Sequence, residues 1–255
     1  MSLDGKTPKK AIVLAAGKGT RMKSESPKAL VPVCGRPMIF RVLDALEDAG
    51  VEEIVVVVGY RGDLVRAALR DRARVTFAEQ TELLGTGHAV MSCRAALQGF
   101  SGPVFIVAGD NPMLQSSSIV RLFEEYARAE NAACVIGTVY KENPVGMGRI
   151  LRNASGEFIG VVEERDATAE QRLIKEINIS YYVFHAPSLL DSLGELRTNN
   201  AQREYYITDV PRIMLERGQK ILAFPVLQPI EALGVNTPEE LAVVEATLRN
   251  ADARD

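Results

Sequence analysis

The sequence predicts an α/β protein built on a doubly wound sheet that is parallel in its first half and mixed toward its end. Three observations carry this. Short runs rich in Val and Ile alternate with amphipathic helical stretches from Lys10 to Ala108. Each such run ends in glycine or polar residues, where a strand gives way to a crossover. From Ala132 onward the strand-like runs follow one another with fewer helices between them, which suggests a mixed sheet edge or a second lobe.

In chain order, residues 10–16, 53–58, 75–79 and 104–108 read as strands. Between them, residues 37–49 form a helix that starts on Pro37 and stops before Gly50, residues 63–72 show helical spacing, and residues 87–97 follow Gly85 and Gly87. The alternation implies right-handed crossovers. Residues 133–140, 157–163 and 176–184 are the later strands, 205–217 a helix closed by Gly218, and 220–226 a further strand. Thr237-Pro238-Glu239-Glu240 is a capping box that opens a helix over 239–248, and the tail beyond Asn250 is expected to fray.

At 255 residues the chain is expected to be one large domain or two intimately joined lobes. Hydrophobic and charged contents of 47% and 25% are those of a soluble globular protein. A net charge of −3 gives no general attraction to nucleic acid or anionic membrane, so neither is an expected partner and positive charge must be local to matter. Cys34, Cys93 and Cys134 lie far apart without Cys-x-x-Cys spacing, and read as buried, reduced thiols. Residues before Ala11 are polar and basic, unlike a secretory signal, and no apolar run approaches the roughly 20 residues of a membrane span. A cytoplasmic protein is expected; the oligomeric state is left open.

The stretch LAAGKGTRM (14–22) runs from an apolar strand into glycines and basic residues, with Lys28 following Pro27. Gly17 and Gly19 let the main chain turn and bring N–H groups against an anion, while Arg21 and Lys28 add fixed positive charge. A Walker loop is excluded by the order Gly17-Lys18-Gly19, and a dinucleotide fingerprint by Met22 in the third glycine's place. Asp110 follows an apolar run, which puts its carboxylate at the carboxyl end of a strand, as a turn residue or a ligand. The only histidines, His88 and His185, and the lack of a Gly-x-Ser-x-Gly elbow, give no nucleophilic triad or zinc cluster.

LAAGKGTRM is followed in order by QTELLGTGHA (80–89), AGD (108–110), GMGRI (146–150), VEERDAT (162–168), EIN (176–178), NNAQREYYITDV (199–210) and GVN (234–236). Through these the chain resembles the sugar-1-phosphate nucleotidylyltransferases, and among them the uridylyltransferase domain of bacterial N-acetylglucosamine-1-phosphate uridylyltransferases. The resemblance implies a Rossmann-like doubly wound mixed sheet of the nucleotide-diphospho-sugar transferase type with a smaller acceptor-binding lobe. It also implies a single domain over 1–255, with a nucleotide half at about 9–131, a sugar half at about 132–236 and a C-terminal helix and tail at 237–255. The hexapeptide repeats of the acetyl-transferring β-helix region of bifunctional members do not occur in this sequence, so a stand-alone enzyme or one part of a bifunctional one is expected.

The implied substrates are UTP and N-acetylglucosamine 1-phosphate, with Mg2+ as cofactor and pyrophosphate as the second product. A sugar phosphate is already ionised, so its attack on the α-phosphorus needs positioning and charge neutralisation rather than a base. The resemblance assigns catalysis to Arg21, Lys28 and Asp110, and magnesium to Asp110 and Asn236, an oxygen-only pair suited to that ion. It assigns the nucleotide to Leu14, Ala15, Ala16, Gly17, Gly19, Thr20, Gln80, Gly85, Thr86 and Gly109, with the Gln80 amide offering a donor and an acceptor to uracil. It assigns the sugar to Gly148, Glu163 and Asn178. Lys18 is left facing either phosphate or water, and His88 reads as a packing residue at a helix start. Two positions depart from the family: Ala108 stands where an aromatic residue is common, and Ser180 where a glycine is. The alternatives are another hexose-1-phosphate nucleotidylyltransferase and, in a different class, a non-catalytic nucleotide-sugar-binding regulatory subunit.

Overall fold

Ala11, Ile12 and Val13 of β1 (Lys10–Leu14) are wholly buried, so both faces of this strand must be covered and it takes the middle of a sheet. This is the arrangement in a computed structural model that describes residues 7–22 and 25–252. After the glycine loop a short ribbon of β2 (Pro32–Val33) and β3 (Arg36–Pro37) leads into α1 (Met38–Asp48), with Pro37 at its N-cap. β4 (Glu53–Val58) pairs in parallel with β1. α2 (Gly62–Leu69) crosses to β5 (Val75–Glu79), which is parallel to β4. The chain then returns through α3 (Thr86–Met91) and α4 (Arg94–Leu97) to β6 (Pro103–Ala108), on the other side of β1. The direction of winding therefore reverses between β1 and β6, and a crevice opens at their carboxyl ends.

After α5 (Ser116–Arg128) come β7 (Ala132–Tyr140), the hairpin β8 (Gly148–Arg152) and β9 (Phe158–Val162), and β10 (Glu176–His185). α6 (Ala186–Leu193), α7 (Val210–Glu216), β11 (Lys220–Phe224) and α8 (Pro238–Asp252) complete the chain. The main sheet has the order β11-β7-β10-β6-β1-β4-β5, and β10 is antiparallel to both its neighbours. The result is the expected doubly wound mixed α/β sheet. Alternate residues of its strands feed two layers. Val13, Val56 and Phe105 pack with Leu43 and Leu46 of α1 and Leu122 of α5, while Ile12, Val55 and Ile106 pack with Val90, Leu189 and Met214 of α3, α6 and α7.

The hairpin of β8 and β9 extends the same sheet. β7 holds one edge of β10 throughout; on the other edge, β6 pairs with its second half (Tyr182 opposite Ile106) and β8 with its first (Asn178 opposite Gly148). The exchange is marked by a bulge between Asn178 and Tyr181, where Ser180 adopts a left-handed conformation (φ 64°) and its N–H donates to Asn178 Oδ1 at 3.2 Å. This explains why a glycine is at home there: a side chain in that conformation costs about 1 kcal/mol. Ser180→Gly is expected to stabilise the fold by about 0.5–1 kcal/mol, raising the thermal midpoint by roughly 1–4 °C. Calorimetry that found it unchanged or lowered would show the bulge to be unstrained.

The structure departs from the sequence expectations in identifiable places. The helix expected over 205–217 begins only at Val210, because the Tyr205 backbone is used elsewhere: its N–H donates to Leu84 O (2.8 Å) and its carbonyl accepts from Gly87 N–H (2.7 Å). The helix expected over 87–97 breaks at Ser92 and Cys93, where the Ser92 hydroxyl donates to His88 O at 3.2 Å. α8 runs past the expected end at 248; of the expected frayed tail, residues 253–255 lie outside the described residues. Strand β8 and helices α5 and α6 had no sequence expectation.

All three cysteines are free. Burial raises the Cys93 thiol to about 12 and Cys134 well above its ordinary value, so both are inert packing groups, whereas Cys34 is only half-buried, contrary to expectation. Among the described residues no helix is long and apolar enough to cross a membrane.

Candidate active site

Beyond β1 the chain is held between the ends of its neighbours: Ala15 N–H donates to Val57 O (2.9 Å), Gly109 N–H to Leu14 O (2.9 Å) and Tyr60 N–H to Ala16 O (3.0 Å). A Cβ on Gly17 would meet no protein atom within 4 Å, so this glycine leaves room above the loop rather than relieving a clash. Gly19 is different. Its φ is 65°, and a Cβ there would lie 2.7 Å from Lys28 Cβ. The glycine thus lets the Lys28 stem cross the loop and fixes where its ammonium reaches.

That ammonium donates to Asp110 Oδ2, and to Asn236 Oδ1 at 2.7 Å. Arg21 Nη2 donates to the same Asn236 oxygen at 3.1 Å. Four residues from three distant segments therefore converge. Asp110 comes from the turn after β6, while Asn236 precedes α8 and is held by its own N–H donating to Glu240 Oε2 (2.6 Å). Asp110 and Asn236 present oxygen atoms to one cationic point, and no group of three or more His, Cys, Asp or Glu among the described residues could hold a metal. Such a donor pair fits a hard divalent cation whose other positions are filled by phosphate and water. Lys18 turns away, its ammonium 5.2 Å from the Tyr60 ring centroid.

Two clefts meet at this cluster. The first, about 290 Å³, is bounded by Leu14 to Gly17 on one side and by Gln80, Gly85 and Thr86 on the other. The second, about 230 Å³, is lined by Gly148, Glu163, Asn178 and Ser180. Both include Ala108 and Asp110 in their lining. Of the residues expected at the nucleotide, Gly19, Thr20 and Gly109 do not line the first cleft; a Cβ on Gly109 would come within 3.2 Å of Val13 Cγ1.

Gln80 is 4% exposed, and its amide nitrogen donates to Gly85 O and to His88 Nδ1, both at 3.1 Å. The side chain expected to offer a donor and an acceptor to a base thus has its amide nitrogen placed against two groups of the protein, Gly85 O and His88 Nδ1. His88, read from sequence as packing, holds this amide and lies against the Tyr205 ring (centroids 6.2 Å apart). Gly85 has φ 104°, and a Cβ there would lie 2.6 Å from Tyr205 O. Thr86 Oγ1 accepts the Ile207 N–H at 3.1 Å, so residues 205–207 brace the whole turn.

In the second cleft a Cβ on Gly148 would sit 3.5 Å from Asn178 Cβ and 3.6 Å from Glu163 Oε2, in the space between the two polar side chains. Asn178 is buried and donates to the Tyr182 hydroxyl at 2.8 Å. Burial pushes the Glu163 carboxyl above the ordinary 4.5, reinforced by Asp166 and Asp209 and opposed by a hydrogen bond with Thr208. Sequence reasoning did not single out Thr208, Tyr182 or Glu231. Glu231, 2% exposed, accepts from Gln115 N–H (3.1 Å), Ser118 Oγ–H (2.5 Å) and Gln228 N–H (2.9 Å), clipping the chain after Asp110 to the chain before Asn236. Its signal in the sequence is the capping pattern from Gln228 to Glu231.

Residues 11–205 match the family described as the MobA-like NTP transferase domain. The chain is 41% identical over 245 residues to the bifunctional protein GlmU of Pelotomaculum thermopropionicum, covering 96% of this chain and 53% of that protein. It is 44% identical over 240 residues to the bifunctional protein GlmU of Syntrophotalea carbinolica, covering 94% and 51%. The chain thus spans about half the length of the curated relatives it matches. In fold it is similar to a UDP-glucose pyrophosphorylase solved in complex with UDP-glucose, with a TM-score of 0.76 at 19% identity, covering 96% of this chain and 99% of that one.

Proposed function

The chain belongs to the MobA-like NTP transferase domain family, and from that premise we propose that it transfers the uridylyl group of UTP to N-acetylglucosamine 1-phosphate. The observation that carries the reading is the meeting of two clefts at Asp110, with Arg21, Lys28 and Asn236 converging on the same point. UTP occupies the first cleft, with its base toward Gln80 and Gly85 and its phosphates toward Gly17, Arg21 and Lys28. The sugar lies in the second, against Gly148, Glu163 and Asn178. On this reading residues of about 9–131 bind the nucleotide and about 132–236 the acceptor.

An oxygen of the sugar phosphate forms a bond to the α-phosphorus as the bond to the β-phosphate oxygen breaks, and pyrophosphate leaves with the electron pair. The nucleophile is an anion, so no proton has to be removed. Lys28 and Arg21 neutralise charge that builds on the phosphoryl oxygens. Asp110 and Asn236 would hold Mg2+, which supplies further neutralisation when bound. The free cysteines support a cytoplasmic place for the chain.

A second reading is kept by Ala108 and Ser180, which enlarge and reshape the acceptor side: transfer to another hexose 1-phosphate. The test is pyrophosphate release with UTP, Mg2+ and either N-acetylglucosamine 1-phosphate or glucose 1-phosphate. A site that pairs the acetamido group should favour the first in kcat/KM by roughly tenfold or more, and Asn178→Ala should erase that preference. A ratio near unity, unchanged in Asn178→Ala, would promote the hexose reading. No release with any sugar 1-phosphate would favour a nucleotide-sugar-binding regulatory subunit.

A further inference from the structure

We propose that His88 is a positioning residue that makes the first cleft selective for pyrimidines carrying an N–H at ring position 3, so that uracil is accepted and cytosine refused. The inference rests on the uridylyl-transfer reading above.

The Gln80 amide nitrogen lies 3.1 Å from the Gly85 carbonyl and 3.1 Å from His88 Nδ1. A carbonyl oxygen can only accept, so the amide atom facing it must be the nitrogen; that sets the orientation of the amide. A primary amide has two hydrogens. One goes to Gly85 O and the second to His88 Nδ1, which must then be the unprotonated ring nitrogen. With both donors consumed, Gln80 offers the cleft a carbonyl oxygen and nothing else. An acceptor pairs with the N3–H of uracil and meets a lone pair at N3 of cytosine.

Neither partner of the amide is free to drift. Gly85 is pinned by the Leu84 and Gly87 hydrogen bonds to the Tyr205 backbone, at 2.8 and 2.7 Å. His88 sits in α3 with its ring against Tyr205. Gln80 itself is fixed at the end of β5, its N–H donating to Val58 O at 2.8 Å. If His88 lost its acceptor nitrogen, Gly85 O alone would hold the amide nitrogen, the amide plane could swing about that one bond, and its oxygen would no longer be held against the base. The pairing with N3–H, and the discrimination that rests on it, would fall.

The experiment is calorimetric binding of UTP, CTP and N3-methyl-UTP to the wild-type chain, His88→Leu and His88→Asn. An Asn oxygen can occupy the place of Nδ1 as an acceptor, whereas Leu cannot. Wild type should prefer UTP to CTP by roughly tenfold or more and should bind N3-methyl-UTP as poorly as CTP. His88→Leu should collapse the UTP-to-CTP ratio toward unity, and His88→Asn should keep most of it. A wild-type ratio near unity, tight binding of N3-methyl-UTP, an undiminished ratio in His88→Leu, or equal losses in both variants would overturn the proposal. The wild-type arms need no variant to fold. Pyrophosphate release by wild type reports separately on the transferase reading: selective binding without turnover would sink that reading and leave the role of His88 standing.

Discussion

Asp110→Asn is expected to remove nearly all turnover while leaving sugar 1-phosphate binding close to normal. The carboxylate stands at the junction of the two clefts, where its Oδ2 accepts from Lys28. Replacing it with an amide keeps the volume and removes the charge that would hold a divalent cation against the phosphates. Lys28 is also left facing a neutral partner. Loss of such a contribution amounts to about 4 kcal/mol of transition-state stabilisation, roughly a thousandfold in rate. Steady-state pyrophosphate release and calorimetric acceptor binding separate the two effects. Near-normal rates at saturating Mg2+ would remove Asp110 from the proposed machinery.

Lys28→Ala should lower the maximal rate by a comparable factor, on the order of a hundredfold or more, with no new ionisation in the pH–rate profile. Its ammonium touches both Asp110 and Asn236, whereas the neighbouring Arg21 reaches only Asn236, and the missing side chain of Gly19 leaves the room that the Lys28 stem occupies. Arg21→Lys should also cost activity, since the guanidinium fork that reaches Asn236 becomes a point charge. If Lys28→Ala raises only the Michaelis constant for the sugar 1-phosphate, Lys28 serves the acceptor and not the phosphoryl transfer.

Strands β4 and β5 were legible to the residue: β4 is a Val- and Ile-rich run that ends at a glycine, and β5 a short β-prone segment, Val-Thr-Phe-Ala-Glu, that ends at polar residues. The stretch around Tyr205 was not. Its helical spacing is real, but its backbone hydrogen bonds go to Leu84 and Gly87, a long-range pairing that no local pattern reveals. β8 escaped for a related reason: it is short, begins at a glycine, and is a strand because β10 and β9 pair with it. In the site, Arg21, Lys28 and Asp110 carry the charge expected for phosphate chemistry, whereas Asn236 alone reads as a turn residue before a helix. The fold brings it to Lys28 across more than two hundred residues of chain. His88 lies within the motif at 80–89 and Glu231 within a capping pattern, but the partners each holds, Gln80 and Ser118, become visible only in the folded chain. Ser180 became intelligible only once the bulge in β10 gave its backbone a left-handed conformation.

The place of β10 in the sheet has a consequence for biosynthesis. β6 is a wholly apolar strand, Pro-Val-Phe-Ile-Val-Ala, flanked by β1 on one side and, on the other, by a strand made much later. About 80 residues separate the end of β6 from the end of β10, so at about 5–20 residues per second the ribosome leaves the outer edge of β6 without its partner for roughly 4–15 s. During that interval a flat, hydrophobic edge is open to any other extended chain. The nascent chain is therefore most prone to aggregate between completion of β6 and arrival of β10, and slow translation across residues 109–185 would lengthen that exposure, whatever the stability of the finished sheet.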